Sequence, residues 1–347
     1  MSIQIVRVTR ALLVALVFLA TSAHAQKWVK LAPFPEPAEE LIGVAAGGKM
    51  YVFCGLAPGW KPIGMVYEYD PSANKWTKKK TMPLLSHHVA FTEYRGKIYA
   101  FGGFKYPDSG PAWEQIDNAW EYDPASDNWR ALAPMPTKRG SPVAVTVGDK
   151  MYVIGGATTA ATAKGMPVHP QRPHISVGTV EEYDPATNTW RERTPMPLPR
   201  NHATAQAVNG KVYVIGGRVG GAFITGGSSN VDVVEEYDPA TDRWGAPRAK
   251  MPSARSAMAS GAYGGRIYVQ GGEGQDAQRM WTFRALEAYE PATNTWTSLP
   301  SMTIPRHGLA GAVVGNRLHM VSGDIQSAGT GVRAPADSHD AFEFPAK

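Results

Sequence analysis

Cysteine, charged residues and long apolar segments are scarce in this chain of 347 residues. Cys54 is the only cysteine, so no intramolecular disulfide can form and the fold depends on packing. Charged residues make up 19%, and the one local basic run, Lys78–Lys80, does not form the basic stripe of a nucleic-acid-binding protein. An apolar fraction of 43% argues against intrinsic disorder. The sequences G-x-S-x-G, H-E-x-x-H and G-x-x-x-x-G-K-[ST] are absent, so the chain carries no strong catalytic signature.

The N-terminal segment has the pattern of a secretory signal peptide. Arg7 and Arg10 precede a ten-residue apolar run, and an Ala-x-Ala cleavage sequence ends at Ala25. We therefore predict that residues 1–25 are a signal peptide and that residues 26–347 form one exported domain, periplasmic or extracellular. Cleavage would lower the formal net charge from +5 to +3, because the removed segment carries two arginines and no acidic residue. Nucleic acid is not an expected partner, because the charge of the remaining chain is nearly balanced. A membrane is not expected either, since no later apolar stretch approaches the roughly 18 residues of a spanning helix.

One sequence unit recurs six times along the rest of the chain. It consists of an apolar run, a tight turn, a Tyr-Val-Ile-Gly-Gly strand, a variable loop, a Tyr-Asp-Pro sequence and a tryptophan, and successive tryptophans are about 50 residues apart. The repeat tryptophans are Trp28, Trp76, Trp129, Trp190, Trp244 and Trp296. The diglycines, two of them degenerate, are Cys54-Gly55, Gly102-Gly103, Gly155-Gly156, Gly216-Gly217, Gly271-Gly272 and Ser322-Gly323.

These residues resemble kelch repeats over essentially the whole chain after the N-terminal segment. The kelch resemblance implies an all-β fold, a six-bladed β-propeller in which each repeat is a four-stranded antiparallel blade. The composition agrees, because β-forming residues precede glycines that permit close backbone approach and Asp-Pro-Ala-Thr sequences have turn chemistry. The last repeat lacks its tryptophan strand, whereas Trp28 stands alone before the first repeat. We therefore predict that the N-terminal strand completes the last blade and closes the ring.

The variable loops and a set of arginines are expected at the same end of the propeller. With the strands of a blade named A to D from the axis outward, the B–C loops and D–A connections lie at one end, here called face one. The A–B and C–D turns lie at the other end, face two. Variable loops on a rigid scaffold usually carry binding residues, and all length variation falls in the B–C loops. Arg139, Arg200, Arg255 and Arg306 begin the A strands of four blades. They are interpreted either as fork-shaped donors to an anion or as donors to loop carbonyls.

Extra aromatic and acidic residues are also expected at face one. Trp113 and Trp281 lie outside the repeat positions, in B–C loops, where they would stack on a sugar or form a small loop core. Glu273 and Asp324 follow the diglycines of blades five and six, giving an acid/base pair or loop salt bridges. Glu273 and Arg279 are six residues apart, a spacing similar to that of the glutamate and arginine of sialic acid mutarotases, which are kelch propellers. That resemblance makes the two residues candidates for catalysis.

Four histidines near the A strands raise the question of a metal site. His88 and His202 share one register, and His87 and His307 share the neighbouring one. In an alternating strand the two sets would point to opposite faces, so we predict no shared metal site and no cofactor. Cys54 replaces a diglycine residue and does not match the cross-linked Cys–Tyr copper site of kelch-superfamily oxidases such as galactose oxidase.

The sequence therefore favours an exported binding module that uses face one to bind an acidic or carbohydrate-like ligand or a protein partner. Two alternatives remain: a secreted sugar epimerase or mutarotase with Glu273 as acid/base, and a structural cell-envelope protein. The candidate ligand-binding residues are Arg139, Arg200, Arg255, Arg306, His202, His307, Glu273, Trp113 and Trp281, and the candidate catalytic residues are Glu273 and Arg279.

Overall fold

The computed structural model describes residues 27–106, 113–159, 174–222, 229–276 and 278–345. Within these ranges, six four-stranded antiparallel sheets surround one axis, and their innermost strands contact one another in a closed sequence. This arrangement is a β-propeller, and it agrees with the fold class that the repeats predict. The expected signal peptide, residues 1–25, lies outside the described residues. In the part of the chain that the structure describes, no helix has the length and apolar character needed to cross a membrane.

Each blade is listed here by its strands from the axis outward. Blade one contains β2 (Glu39–Ala46), β3 (Lys49–Ala57), β4 (Lys61–Asp70) and β5 (Lys75–Lys78). Blade two contains β7 (Ala90–Tyr94), β8 (Lys97–Phe101), β11 (Ala119–Asp123) and β12 (Asn128–Ala131). Blade three contains β13 (Val143–Val147), β14 (Lys150–Ile154), β17 (Val180–Asp184) and β18 (Thr189–Arg193). Blade four contains β19 (Thr204–Val208), β20 (Lys211–Ile215), β23 (Val234–Asp238) and β24 (Arg243–Trp244). Blade five contains β25 (Ala259–Tyr263), β26 (Arg266–Gln270), β29 (Leu286–Glu290) and β30 (Thr295–Leu299). Blade six contains β31 (Ala310–Val314), β32 (Arg317–Val321), β33 (His339–Glu343) and β1 (Lys27–Lys30).

Short strands extend the B–C loops of blades two to five, and a further short strand from the D–A connection into blade two joins the first of them. They form small sheets of two or three strands, so these loops are structured where they leave the diglycines. The small sheets consist of β6 (Ser86–His87) with β9 (Phe104–Lys105) and β10 (Glu114–Gln115), β15 (Ala157–Thr159) with β16 (His174–Ser176), β21 (Arg218–Val219) with β22 (Ser229–Asn230), and β27 (Glu273–Gln275) with β28 (Met280–Thr282).

The N-terminal strand is the outer strand of blade six. β1 pairs antiparallel with β33, with Trp28 opposite Phe342 and their ring centroids 5.4 Å apart. The Trp28 indole also donates a hydrogen bond to Pro300 O of the neighbouring blade (2.7 Å). The first and last strands of the described residues therefore share one sheet, and β1 occupies the outer position that the last repeat does not fill itself.

The Tyr-Asp-Pro and tryptophan positions of the repeat connect neighbouring blades. In blade three, Asn188 adopts a left-handed backbone (φ 55°), and its side-chain oxygen accepts hydrogen bonds from Tyr183 Oη (2.7 Å) and from Ala133 N (2.9 Å). Trp190 Nε1 donates to Ala133 O (2.8 Å). Both backbone groups of a residue that follows blade two are thereby satisfied by blade three. The same contacts recur around Asn74 and Trp76, Asp127 and Trp129, Asp242 and Trp244, and Asn294 and Trp296.

The apolar core lies between the blades. Phe53 of blade one stacks on Phe91 of blade two with centroids 4.4 Å apart, and Ile98, Tyr122 and Trp129 complete that buried cluster. A single blade leaves such side chains exposed, so packing against neighbours on both sides stabilises the ring.

Candidate functional site

The B–C loops and D–A connections meet at face one. The residue after each arginine pairs with the residue after the diglycine of the same blade, as in the bridges Gly140 with Ala157 and His307 with Asp324. These bridges hold the loop bases in register around the axis, so side chains from all six blades converge there.

The four arginines of the A strands are buried inside their own blades. Each forms an ion pair with an acidic residue of strand C: Arg139 with Glu181 (2.8 Å), Arg200 with Glu235, Arg255 with Glu287 (2.6 Å) and Arg306 with Asp340 (2.7 Å). Arg139, Arg200 and Arg306 also donate to backbone carbonyls. These contacts are those of the carbonyl-donor interpretation. The alternative interpretation, in which the four arginines are donors to an anion, does not hold, because all four guanidinium groups are already paired and shielded from solvent.

The sequence indicates these pairs, because the arginine and its acidic partner occur in the same four repeats. The acidic partner lies two residues before the Tyr-Asp-Pro tyrosine or its equivalent, and it occurs in the four blades that have the arginine. In blade one the two positions hold Ala38 and Tyr67, and in blade two they hold Ser86 and Trp120. Arginine and acid are thus gained or lost together, as expected for groups that must be buried as a pair.

Six residues form a ring around the axis at face one, each two positions after the arginine or its equivalent. All six have left-handed backbones with φ between 51° and 57°, and four backbone hydrogen bonds join successive members. The ring consists of Glu40, His88, Ser141, His202, Ala257 and Gly308. The prediction that the two histidine registers point to opposite faces is therefore wrong, because the left-handed residues interrupt the strand alternation. The rings of His88 and His202 lie 4.5 Å apart, and that of His87 lies 4.7 Å from His88.

Ionisable side chains fill the centre of this ring and its surroundings. We call them the axial cluster: Glu39, Glu40, His88, His202, Arg218, Glu273, His307, Asp324 and Arg333. Glu40 Oε2 lies 3.0 Å from His88 Nε2, and Arg333 Nε lies 2.6 Å from Glu39 Oε1. All members except the partly buried Arg333 are buried, so their charges interact strongly with one another.

Burial and mutual charge shift the pKa values of the axial cluster. Burial raises the pKa of Glu39 to about 7. Burial also acts to raise the pKa of Glu40, but the ion pair with His88 outweighs it and lowers the pKa to about 2. Burial, with the charge of Arg218, lowers the pKa of His202 well below its ordinary value. For His307 burial acts to lower the pKa, but Glu273, Glu40 and Glu39 together raise it.

The two candidate catalytic residues are not brought together. Glu273 is fully buried, and its carboxylate accepts hydrogen bonds from Arg218 Nη1 (2.9 Å), Ser327 Oγ (2.8 Å) and Ala328 N (2.9 Å). Arg279 is exposed at the opposite end of the β27–β28 hairpin. Glu273 therefore serves here as an acceptor inside the cluster, and Arg279 does not adjoin it as the mutarotase resemblance implies.

Comparisons with known proteins agree with this architecture. A family model described as the Attractin/LZTR1 beta-propeller matches residues 18–217, and a second, the KLHDC2/KLHL20/DRC7 Kelch-repeats domain, matches residues 170–323. The chain belongs to the kelch-repeat β-propeller family. The kelch resemblance inferred from the repeats is thereby confirmed.

Individual kelch relatives are similar over most of this chain. Kelch-like protein terF of Aspergillus terreus is 29% identical over 304 residues, which is 85% of this chain and 62% of that protein. Human Kelch-like protein 23 is 25% identical over 295 residues, 85% of this chain and 47% of that protein. The chain thus spans less than two thirds of the length of these curated relatives. The solved structure of YjhT superposes with a TM-score of 0.69 at 17% identity and covers 89% of this chain and 96% of that one, a likeness of fold alone.

The two extra tryptophans have different environments in the kelch propeller. Trp113 is 2% exposed and packs with Phe104 and the His87 ring, so it forms a small core beneath the loops. Trp281 on β28 is 37% exposed. Only Trp281 of this pair is placed to touch a partner at the surface of face one. Phe223 and His169, which also belong to variable loops, lie outside the described residues.

Face one of the propeller also carries the exposed apolar side chains. In the described part of the chain, every large apolar residue that is at least about a third exposed belongs to a B–C loop or a D–A connection. These residues are Leu85, Ile175, Met280, Trp281, Ile304, Ile325 and Val332. Face two is formed instead by tight polar turns such as Asn209-Gly210.

Proposed function

We propose that this kelch propeller is an exported binding module and that face one contacts a protein partner. The observation that supports this function is the confinement of the seven exposed apolar side chains to face one. Exposed apolar side chains gathered on one surface and surrounded by polar residues are typical of protein interaction sites. The kelch family supports the same general class, a protein- or ligand-binding module.

The four arginines that begin the A strands do not contribute to this binding surface. If these arginines bound an acidic ligand, their buried ion pairs would have to break. Each broken pair would leave a carboxylate with an uncompensated charge inside the protein. Glu273 is likewise occupied by three donors, so the geometry offers no acid/base catalyst for a mutarotase there. The proposal therefore places recognition on the exposed apolar side chains.

Site-specific photo-crosslinking tests the proposed surface. A photoreactive phenylalanine analogue replaces Trp281 or Val332 on face one, and the matched controls carry it at Ser126 or Asp149, which are exposed in turns at face two. Irradiation of the cells that make the protein should yield crosslinked protein adducts from the two face-one positions. Equal yields from face two, or no protein adduct from any position, would contradict the proposal.

A carbohydrate-like ligand is the second candidate, because the exposed Trp281 ring offers a surface on which a sugar can stack. Thermal unfolding in the presence of neutral and acidic saccharides separates the two, since any ligand of the native state raises Tm. A rise that disappears in Trp281→Ala would favour the sugar, whereas a rise of the same size in that variant would place the sugar elsewhere.

Export rests on the N-terminal pattern and has its own test. Cleavage before Gln26 would leave β1 intact, so the mature chain would retain the strand that completes blade six. We expect the mass of the purified exported protein to correspond to residues 26–347. A full-length protein that remains in the cytoplasm would refute export without affecting the argument about face one.

A further inference from the structure

Three residues of the axial cluster place possible metal ligands within one small volume. Glu40, His88 and His202 are each less than a tenth exposed, and one ligand atom from each lies within 4.8 Å of the others. Glu40 Oε2 and His88 Nε2 are 3.0 Å apart. Ligand atoms around a tetrahedral ion with bonds of about 2.0–2.1 Å are separated by about 3.3 Å, so small side-chain movements would suffice.

His202 is oriented as a metal-binding histidine is. Its Nδ1 lies 2.6 Å from Asn201 Oδ1 and 2.9 Å from Ser141 Oγ. An Nδ1–H bonded to the Asn201 oxygen leaves a lone pair on Nε2, and among the described residues this buried Nε2 has no hydrogen-bond partner. Histidine ligands commonly have one nitrogen held by such a bond while the other binds the ion.

His88 is held in a comparable way. Its Nδ1 contacts Nδ1 of His87, and its Nε2 faces Glu40. Without a metal ion, the 3.0 Å contact between His88 Nε2 and Glu40 Oε2 requires a proton between the two atoms. A bound ion would replace that proton, and His88 protonated on Nδ1 would then direct its Nε2 lone pair at the ion. Two imidazole nitrogens and one carboxylate oxygen then face the same point.

The charge of the axial cluster also calls for a cation. Its four carboxylates, Glu39, Glu40, Glu273 and Asp324, are accompanied by two guanidinium groups, Arg218 and Arg333. The carboxylates therefore outnumber the guanidinium groups by two, and His307, which lies beside Glu39 and Glu273, offsets part of that excess. A buried cluster with more acidic than basic groups favours a bound cation.

A cavity beside the three side chains has room for an ion. A cavity of about 60 Å³ is lined by Glu40, His88, Ser141 and His202, among others. It shares lining residues with a second cavity along the axis, of about 140 Å³, which shares others with a third of about 510 Å³. The third reaches exposed residues of face two, including Arg95. These volumes exceed that needed for single waters, so waters can occupy the remaining coordination positions.

We propose that Glu40, His88 and His202 bind one divalent transition-metal ion at the face-one end of these cavities. Imidazole nitrogens combined with a carboxylate suit Zn²⁺, Cu²⁺, Fe²⁺ and related ions, whereas Ca²⁺ and Mg²⁺ prefer oxygen alone. The cavities that adjoin the site extend toward face two, away from the exposed apolar side chains of face one. Metal binding and partner binding can therefore fail independently.

Metal binding is measured on the protein comprising residues 26–347, which is stripped of metal with a chelator and titrated with Zn²⁺ alone. We expect one Zn²⁺ per chain, a rise in Tm, and no comparable effect of Ca²⁺ or Mg²⁺. His88→Asn and His202→Asn remove a ligand but retain a residue that tolerates the left-handed backbone. Each should weaken Zn²⁺ binding at least about tenfold.

The matched control is Ala257→Asn, which changes a member of the same ring, also left-handed, without removing a ligand. It should bind Zn²⁺ as the wild type does. Unchanged affinity in His202→Asn, or absence of stoichiometric Zn²⁺ binding by the wild type, overturns the proposal. X-ray absorption of the Zn²⁺-loaded wild type keeps the test independent of variant folding, because a spectrum with fewer than two imidazole ligands refutes the assignment.

Discussion

The buried pair of Arg139 and Glu181 gives a quantitative test of the structural role of the arginines. Arg139 is completely buried, its Nη1 lies 2.8 Å from Glu181 Oε2, and its Nη2 donates to Val153 O (3.0 Å). Arg139→Met retains most of the apolar stem but removes the charge and the donors. Glu181, also buried, would then carry an uncompensated negative charge. We expect the variant to lose about 3–5 kcal/mol of unfolding free energy.

A double variant distinguishes the ion pair from general damage to packing. Glu181→Leu alone should cost a similar amount, because it leaves the guanidinium unpaired. Arg139→Met combined with Glu181→Leu removes both charges, so it should be much closer to the wild type than the sum of the single variants, apart from about 1 kcal/mol for the Val153 carbonyl. Such non-additivity is the expected signature of two groups in direct contact.

The measurement is denaturant unfolding followed by tryptophan fluorescence, supported by calorimetry. Arg130→Met is a comparison variant, because Arg130 also forms an ion pair, with Glu121 at 2.6 Å, but the Arg130 side chain is 60% exposed. The buried Glu121 would retain its contacts with Lys97 (2.7 Å) and Tyr99 Oη (2.9 Å), so loss of the exposed guanidinium should cost only about 0–1 kcal/mol of unfolding free energy. If Arg139→Met were no more destabilising than Arg130→Met and showed no coupling to Glu181→Leu, the arginines would be free for a ligand and the structural role would be refuted.

Three further predictions concern stability. Trp28→Ala should lower the unfolding free energy by about 2–4 kcal/mol, because it removes the Phe342 contact and the indole hydrogen bond. Trp281→Ala, at the surface, should change Tm little. Equal Tm values for the two variants would argue against ring closure by β1. Asn188→Ala should lower the unfolding free energy, measured with denaturant, by about 1–3 kcal/mol, because two donors lose their acceptor. Asn188→Gly should lower it less, because glycine tolerates the left-handed backbone. The reverse order would contradict this explanation. Burial lowers the pKa of His319 to about 4 and that of His339 to about 3, so the stability that these neutral rings confer is present above about pH 6.5 and is lost as the pH falls toward 4. Between pH 7.5 and 5.5 the unfolding free energy should therefore fall by roughly 1.4 kcal/mol more in the wild type than in His319→Phe. Parallel pH profiles of the two proteins would rule out this linkage.

Repetition made most of the fold readable from the amino-acid sequence. Each unit carries its own turn glycines, β-forming run and tryptophan at nearly constant spacing, so the propeller class and the position of the variable loops follow from local patterns. The unmatched Trp28 strand and the incomplete last unit indicated which strands would pair. Such features are legible because they recur, and because one blade cannot bury both of its faces.

The partners of the charged residues depended on contacts between distant segments. Arg139 lies 42 residues from Glu181, and only the joint loss of the two positions in blades one and two hints at the pairing. The axial cluster was even harder to predict from the sequence. His88 and His202 come together because non-glycine residues adopt left-handed backbones at the start of the A strands, a conformation imposed by the hydrogen-bonded ring around the axis. Local sequence preferences favour alternation there, and only closure of the whole ring overrides them.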